Sequence, residues 1–478
     1  MAASIPSGTV SVRMYRGILG DCFLLRHEEQ GEEVKYILID CGVLQGVSNA
    51  RERMRDIVSD IRQTTGGTLD LLVVTHEHHD HLSGFQYEAE RFKTFTVREF
   101  WLAWTEDPND ATAIELRRHF DKSRDTVAAL ASHPVMQALG KDDGRIRSVL
   151  GLSAFLGLDN GNRPTGASTL KMLKELATPA RTRYLQPGQV VRPTRIAGLK
   201  TYVMGPPRDT ASLRRDAPRK GAAKEVYLSR QEDANALDLR LAQLNDTPIC
   251  AEDLPFAAPH RRPLNNVAAL NPKQYTLTQK LYYDPKAASR KIDDEWYSSA
   301  ETLALKMDSD TNNTSLVLAF ELPDGQVLLF PGDAQVGNWL SWSAQTYPTT
   351  PDPTPGPAVT ADDILARVSL YKVGHHCSHN ATLRELGLEK MTSPRLVAMI
   401  PVVTEVAVKN QWNMPYPDLY QALKQKTCER VIIGDSVFEQ ERKIFEQNAR
   451  ALQPPITVDY HPKGLWVEVR ISFGQGGT

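Results

Sequence analysis

The chain of 478 residues has only five cysteines, Cys22, Cys41, Cys250, Cys377 and Cys428, and none of them forms a CxxC pair. An odd, scattered set argues against a disulfide framework, so a reducing, cytoplasmic location is the expectation. No apolar run is long enough to span a bilayer. The opening MAASIPSGTV has no basic segment followed by an apolar one, so no signal peptide is read there. Neither sign of charge dominates: 56 Lys and Arg stand against 58 Asp and Glu. Binding to nucleic acid or an anionic membrane would therefore need a local patch. No repeat or low-complexity segment stands out. What remains is the composition of a soluble globular protein, long enough for one elaborated domain or for two.

The N-terminal part alternates short apolar strands with turns. SVRMYRG and DCFLLRH are expected to pair around Gly17–Gly20, and VKYILIDCG to form a buried strand ending in Asp40 and Gly42. Met54, Ile57, Val58 and Ile61 follow helical spacing after a Ser48 or Asn49 cap, and Gly66 and Gly67 stop the helix. LDLLVVTH is a further strand that runs straight into histidines. Strand, helix and strand at this pitch predict a βαβ unit with its chemistry at the strand's C-terminal end. Residues 86–183 are expected to be a helical insertion, built from DATAIELRRHFDKSRDTVAALASH, RIRSVLGLSAFLGL and TLKMLKELA. RYLQPGQVVRP and GLKTYVMGPP return to strand, and 208–311 is an irregular polar insertion. TSLVLAFEL and GQVLLFPGDA are strands across an Asp324–Gly325 turn, AQVGNWLSWSAQ is a helix, and ARVSLYKVGHH is a strand ending on histidines.

The densest chemistry is VVTHEHHDHLSGF, residues 73–85, with four histidines and an aspartate in six positions. A single histidine is more often a surface or satisfied core residue, but HxHxDH at a strand end is hard to explain by packing. Asp333 after GQVLLFPG and His375-His376 after ARVSLYKVG also follow strands, as does Asp40, so the pieces could converge. Imidazole and carboxylate suit zinc and other borderline divalent ions. His76 and His78 can grip one ion, Asp80 and His81 a second, and Asp333 can bridge both through its two oxygens. Two ions roughly 3.5–4 Å apart would hold a nucleophilic hydroxide and stabilise a departing oxyanion. Asp40 fits the role of orienting the histidine loop.

This pattern resembles the metallo-β-lactamase superfamily, whose fold is an α/β, αββα sandwich. It is more closely similar to the soluble hydrolase domain attached to the DNA-uptake channel ComEC, through GDCFLL, ILIDCG, LLVVTHEHHDHLSGF, LQPGQVV, NNTSLVLAFEL, QVLLFPGDA, LYKVGHHCSHN and SPRLVAMI…YPDLYQALK. The resemblance implies a hydrolase core over 1–85, 184–207 and 312–478, with the two insertions between. It implies two divalent metal ions, zinc first and manganese second, held by His76, His78, Asp80, His81, Asp333 and His376. His375 is favoured as the group facing a substrate phosphoryl, and the order of His375 and His376 stays open. Phosphodiesters, including nucleic acid, are the implied substrates, with Asp80, His375 and Tyr416 assisting catalysis.

The chain departs from that family pattern in three places. Many members carry another histidine ligand where TYVMGPP places Gly205; His119, His133 and His260 are the remaining candidates. HHGS becomes HHCS, so Cys377 replaces a glycine and is expected to pack. Tyr416 stands where relatives often have a histidine, and could donate a hydrogen bond to an oxyanion. Arg214, Arg215, Arg219 and Lys220, then Arg261 and Arg262, are the best basic clusters, with Tyr227, Tyr275, Tyr282 and Tyr283 as sparse stacking partners. Two other functions remain open: hydrolysis of another ester, lactone or peptide bond by the same metals, or a non-catalytic module whose insertions bind a protein partner.

Overall fold

The computed structural model describes residues 7–44, 47–132, 166–177, 179–215, 306–307, 309–348, 358–410 and 412–474. Cys250, the expected helix RIRSVLGLSAFLGL, His133, His260, Arg219, Lys220, Arg261, Arg262 and the four candidate stacking tyrosines lie outside the described residues.

The chain is a mixed α/β protein built on two large sheets. The first has eight strands, in the order Ile456–Tyr460, Trp466–Phe473, Gly8–Tyr15, Cys22–Glu29, Lys35–Cys41, Leu71–Val73, Phe100–Ala103 and Thr182–Leu185. The second has seven, in the order Val431–Ile433, Val397–Ile400, Val368–Lys372, Val327–Phe330, Val317–Glu321, Lys200–Gly205 and Val190–Val191. Each sheet is antiparallel at one end and parallel at the other. The central parallel strands Leu71–Val73, Phe100–Ala103, Val327–Phe330 and Val397–Ile400 are buried along their whole length, which is why they appear in the sequence as apolar runs.

Alternate side chains along each strand enter different clusters. Val12, Phe23, Ile39 and Val73 of the first sheet share one cluster with Val203, Leu318, Leu328, Leu370 and Met399 of the second. Leu24, Leu38 and Leu72 face the other way, onto Met54, Ile57, Val58 and Ile61 of the helix Ala50–Thr65. Tyr202, Ala319, Leu329 and Tyr371 pack on Trp339 and Trp342 of the helix Val336–Trp342 and on Leu423 of the helix Pro417–Lys426. Burial on both faces of both sheets removes most of the apolar surface from water and is the main source of cohesion.

The expected helix after Asn49 is present, and it ends at Gly66 in the left-handed conformation, φ 59°. Two expectations need correction. Residues 86–183 are not helical throughout, because Phe100–Ala103 and Thr182–Leu185 pair in parallel within the first sheet. RYLQPGQVVRP is not one strand: Thr182–Leu185 belongs to the first sheet and Val190–Val191 to the second. A turn with Gly188 at φ 85° lies between them. Hydrophobic alternation identifies a strand but not the sheet it joins. The candidate site residues gather where strands end: His76 follows Leu71–Val73, Asp333 follows Val327–Phe330, and His375 follows Val368–Lys372.

Candidate metal centre

The histidine loop is fixed before its side chains are placed. Asp40, at φ 54° at the end of its strand, accepts the Thr75 backbone N–H at 2.8 Å through Oδ1 and the Thr75 hydroxyl at 2.7 Å through Oδ2. The Leu316 N–H donates to Thr75 O at 2.9 Å, which ties the loop to the second sheet. His78 precedes the helix His79–Tyr87, so Asp80 and His81 fall in its first turn. Gly42 lies so close to the Asp80–His81 backbone that any Cβ there would collide with it. His79 turns away, its Nε2 3.2 Å from Tyr87 Oη.

Four side chains from the two halves of the fold then meet. Asp80, His81, Asp333 and His376 each bring one donor atom to within 4.8 Å of the others, and all four are buried. His376 Nε2 is 2.9 Å from Asp80 Oδ2 and 3.7 Å from Asp333 Oδ2. His81 Nε2 is 3.2 Å from Asp333 Oδ2 and 3.6 Å from Asp80 Oδ2. Both tautomers are set from behind: His81 Nδ1–H donates to Asp40 Oδ2 at 2.8 Å, and His376 Nδ1–H to Pro401 O at 2.7 Å. Each ring therefore presents Nε2 to the centre. His76 and His78 stand alongside, with ring centroids 4.7 Å apart, and the His76 ring is 4.1 Å from that of His81.

Electrostatics favour a cation here. Burial alone would lower the pKa of His81 and His376, but the surrounding carboxylates, Asp333 first, raise both. Burial would raise Asp333, and Lys372, His81 and His376 instead hold it well below the usual carboxylate range. His78 is pushed down to about 4, chiefly by burial, and His76 also falls well below its ordinary value. A divalent ion and protons compete for the same imidazole nitrogens. His76 Nε2 and Asp80 Oδ1 are buried without a hydrogen-bond partner among the described residues, and an ion would satisfy such atoms. Mixed imidazole and carboxylate donors are what zinc and its neighbours take, so the residues fit the metal.

Two participants escaped sequence reasoning. Lys372 is 1% exposed, and its Nζ donates to Gly332 O at 2.8 Å and to Asp333 Oδ1 at 3.0 Å. It also pairs with Asp21 Oδ2 at 2.5 Å. Asp21 is 2% exposed and groups with Asp40 and His81 as a second set of close donors. The signal was a lysine inside an apolar strand two residues before Gly374, and an aspartate between Gly20 and Cys22. Asp333 Oδ1 accepts from Lys372 and from the His375 N–H at 2.9 Å, and Oδ2 faces the histidines.

The remaining candidates are placed as follows. His375 lies beside the tetrad, its Nδ1 2.8 Å from Ser378 Oγ and 3.1 Å from Gln335 Nε2, and burial pushes it down to about 4. Cys377 packs in the cluster under the second sheet, and burial pushes its thiol up to about 12. The Tyr416 N–H donates to Cys377 O at 2.7 Å and its ring lies against His379; no hydroxyl bond to the tetrad occurs among the described residues. Gly205 has no room for a side chain, since a Cβ would strike the Asn338 amide. That amide donates to Asn313 O at 3.1 Å and Ser315 O at 3.0 Å. His119 is away from the tetrad and lines a groove with Arg118, Lys122 and Arg214.

The family model described as the Metallo-beta-lactamase superfamily matches residues 16–147. Over that segment the chain is similar to the metallo-beta-lactamase superfamily, and the fold carries a buried His/Asp cluster that could bind metal. No curated protein matches the chain. The matched segment holds Asp21, Asp40 and the histidine loop, whereas Asp333, Lys372 and His376 lie beyond it. No helix among the described residues is long and apolar enough to cross a membrane.

Proposed function

We propose that this chain is a metal-dependent hydrolase of phosphodiesters, of the ComEC-like kind, with an αββα arrangement of its two sheets and flanking helices. The observation that carries the reading is the convergence of Asp80, His81, Asp333 and His376 beside His76 and His78. Zinc is the first choice of ion and manganese the second, with His76 and His78 as donors to a second ion. Bound there, a divalent ion supplies a Lewis acid that makes water nucleophilic near neutral pH and stabilises an oxyanion. Asp80, with Oδ1 unpartnered, also guides the proton of the attacking water. His375, anchored through Nδ1, would turn its Nε2, now 3.5 Å from Asn312 Nδ2, toward a phosphoryl oxygen, and Tyr416 would donate a hydrogen bond to the oxyanion. A groove lined by Arg118, Lys122 and Arg214, with Glu115 among them and no tetrad residue in its lining, is the surface where an anionic substrate, nucleic acid included, would extend.

The test is a metal assay joined to a substrate screen. About two equivalents of zinc or manganese per chain, with turnover of bis-p-nitrophenyl phosphate lost in Asp80→Ala and Asp333→Ala, is the expected result. Turnover of carboxylic esters or lactones alone would reassign the substrate. A folded protein that binds no stoichiometric ion would instead be a partner-binding module.

A further inference from the structure

The metal centre contains one buried cation that the hydrolytic scheme leaves unused. The Lys372 ammonium has three protons and meets three acceptors, Gly332 O, Asp333 Oδ1 and Asp21 Oδ2. With all three protons donated to these acceptors, its nitrogen has no lone pair free to act as a base.

Its placement is rigid at both ends. Lys372 closes the strand Val368–Lys372, and the next residue, Val373, donates its N–H to Met399 O at 2.9 Å. On the other side, the Asp21 N–H donates to Asp80 O at 3.0 Å and Asp21 O accepts the Gly42 N–H at 2.9 Å. Lys372 therefore joins the loop that supports Asp80 to the loop that carries Asp333. The two oxygens of Asp333 have divided tasks. Oδ1 accepts from Lys372 and from the His375 N–H, while Oδ2 faces His81 and His376.

We propose that Lys372, itself held by Asp21, is a positioning residue that confines Asp333 to a single-oxygen contact with a bound divalent ion. It thereby fixes a low coordination number at the tetrad and selects zinc over larger, oxygen-preferring ions. A carboxylate free at both oxygens can chelate, which raises the ligand count and suits manganese, magnesium or calcium. A carboxylate with one oxygen taken offers a single donor. With the other three tetrad residues that makes four protein donors, so the water of the hydrolytic scheme would take a fifth place, the upper limit zinc reaches in catalytic sites. The inference rests on the metal-hydrolase reading.

The experiment uses the full chain, stripped of metal and reloaded with zinc, manganese or cobalt(II) alone. Wild type is expected to prefer zinc and to give the intense visible absorption of low-coordinate cobalt. In Lys372→Met the zinc preference over manganese should fall by about tenfold or more, the scale of effects from groups behind metal ligands. The cobalt absorption should weaken several-fold as Asp333 becomes a two-oxygen ligand. Asp21→Asn, which leaves the Lys372–Asp333 contact in place, should keep a spectrum close to wild type. Should Lys372→Met fail to fold, the double variant Asp21→Asn/Lys372→Met removes both buried charges together and carries the same measurement. A folded Lys372→Met or Asp21→Asn/Lys372→Met protein with wild-type metal preference and cobalt spectrum would overturn the proposal. So would wild-type protein whose cobalt spectrum is already that of a high-coordinate ion, whatever the variants do. Wild type that binds none of the three ions would sink the hydrolase reading itself, before any variant is made.

Discussion

His81 donates its Nδ1–H to Asp40 Oδ2 at 2.8 Å, and the same oxygen accepts the Thr75 hydroxyl at 2.7 Å. One buried carboxylate thus sets both a ring orientation and the course of the loop that carries it. Asp40→Asn keeps the size but turns an acceptor into an amide, so His81 loses its tautomer control. The expected outcome is a metal affinity lower by roughly 10–100-fold, measured by competition with a chromophoric chelator. Unchanged affinity would show that the tautomer is set elsewhere.

At Gly205, near the spot where the resemblance leads one to expect a further histidine, the Asn338 amide fills the space a side chain would need. Gly205→His should not complete the centre. It should destabilise the fold by at least about 1–3 kcal/mol, the scale of overpacking, read from urea unfolding. Added metal capacity in a stable Gly205→His variant would refute this.

Cys377 has φ 65°, as the last of three consecutive residues at positive φ that begin with His375. A glycine in its place explains the usual HHGS pattern, since glycine adopts that conformation without a Cβ penalty. Cys377→Gly should relieve roughly 1 kcal/mol of backbone strain and lose a similar amount of thiol packing, leaving stability near wild type. Cys377→Val, β-branched at the same φ, should be clearly less stable in the same thermal melts. Metal content should be unchanged in Cys377→Gly; its loss would make the thiol a ligand.

His27 lies far from the centre, buried and stacked on Phe473 with ring centroids 5.4 Å apart, and burial lowers its pKa to about 4. The folded state therefore favours the neutral ring more than the unfolded state does. That contribution is complete above the ordinary value of 6.5 and is lost as pH falls from there toward 4. The loss amounts to at most about 3 kcal/mol. His76, His78 and His375 shift in the same direction, so the comparison must be with His27→Phe. Its urea stability should fall less steeply than wild type over this acidic range. Parallel pH curves for the two proteins would contradict the buried neutral ring.

The sequence made the ends of strands legible, and with them Asp40, the histidine loop, Asp333 and the HisHis pair. HxHxDH could be recognised because its donors are consecutive. Asp333 could be placed because a strand led into it and a helix followed. Lys372 and Asp21 were not legible as a pair. Each is a lone charge in an apolar stretch, and their contact joins the last residue of a strand of the second sheet to a loop of the first. The helix before Gly66 was readable from Met54, Ile57, Val58 and Ile61, which depend on local spacing alone. The strand Phe100–Ala103 was missed because four apolar residues next to long amphipathic helices carry no period of their own.

The donors of the tetrad arrive in two deliveries, Asp80 and His81 from one sheet and Asp333 and His376 from the other. Neither pair alone can hold an ion firmly, so high affinity can arise only after the sheets have docked. Any ion taken up then acts as a rivet between them, its binding energy added to the cohesion of that seam. Chelation should loosen the seam before it loosens either sheet.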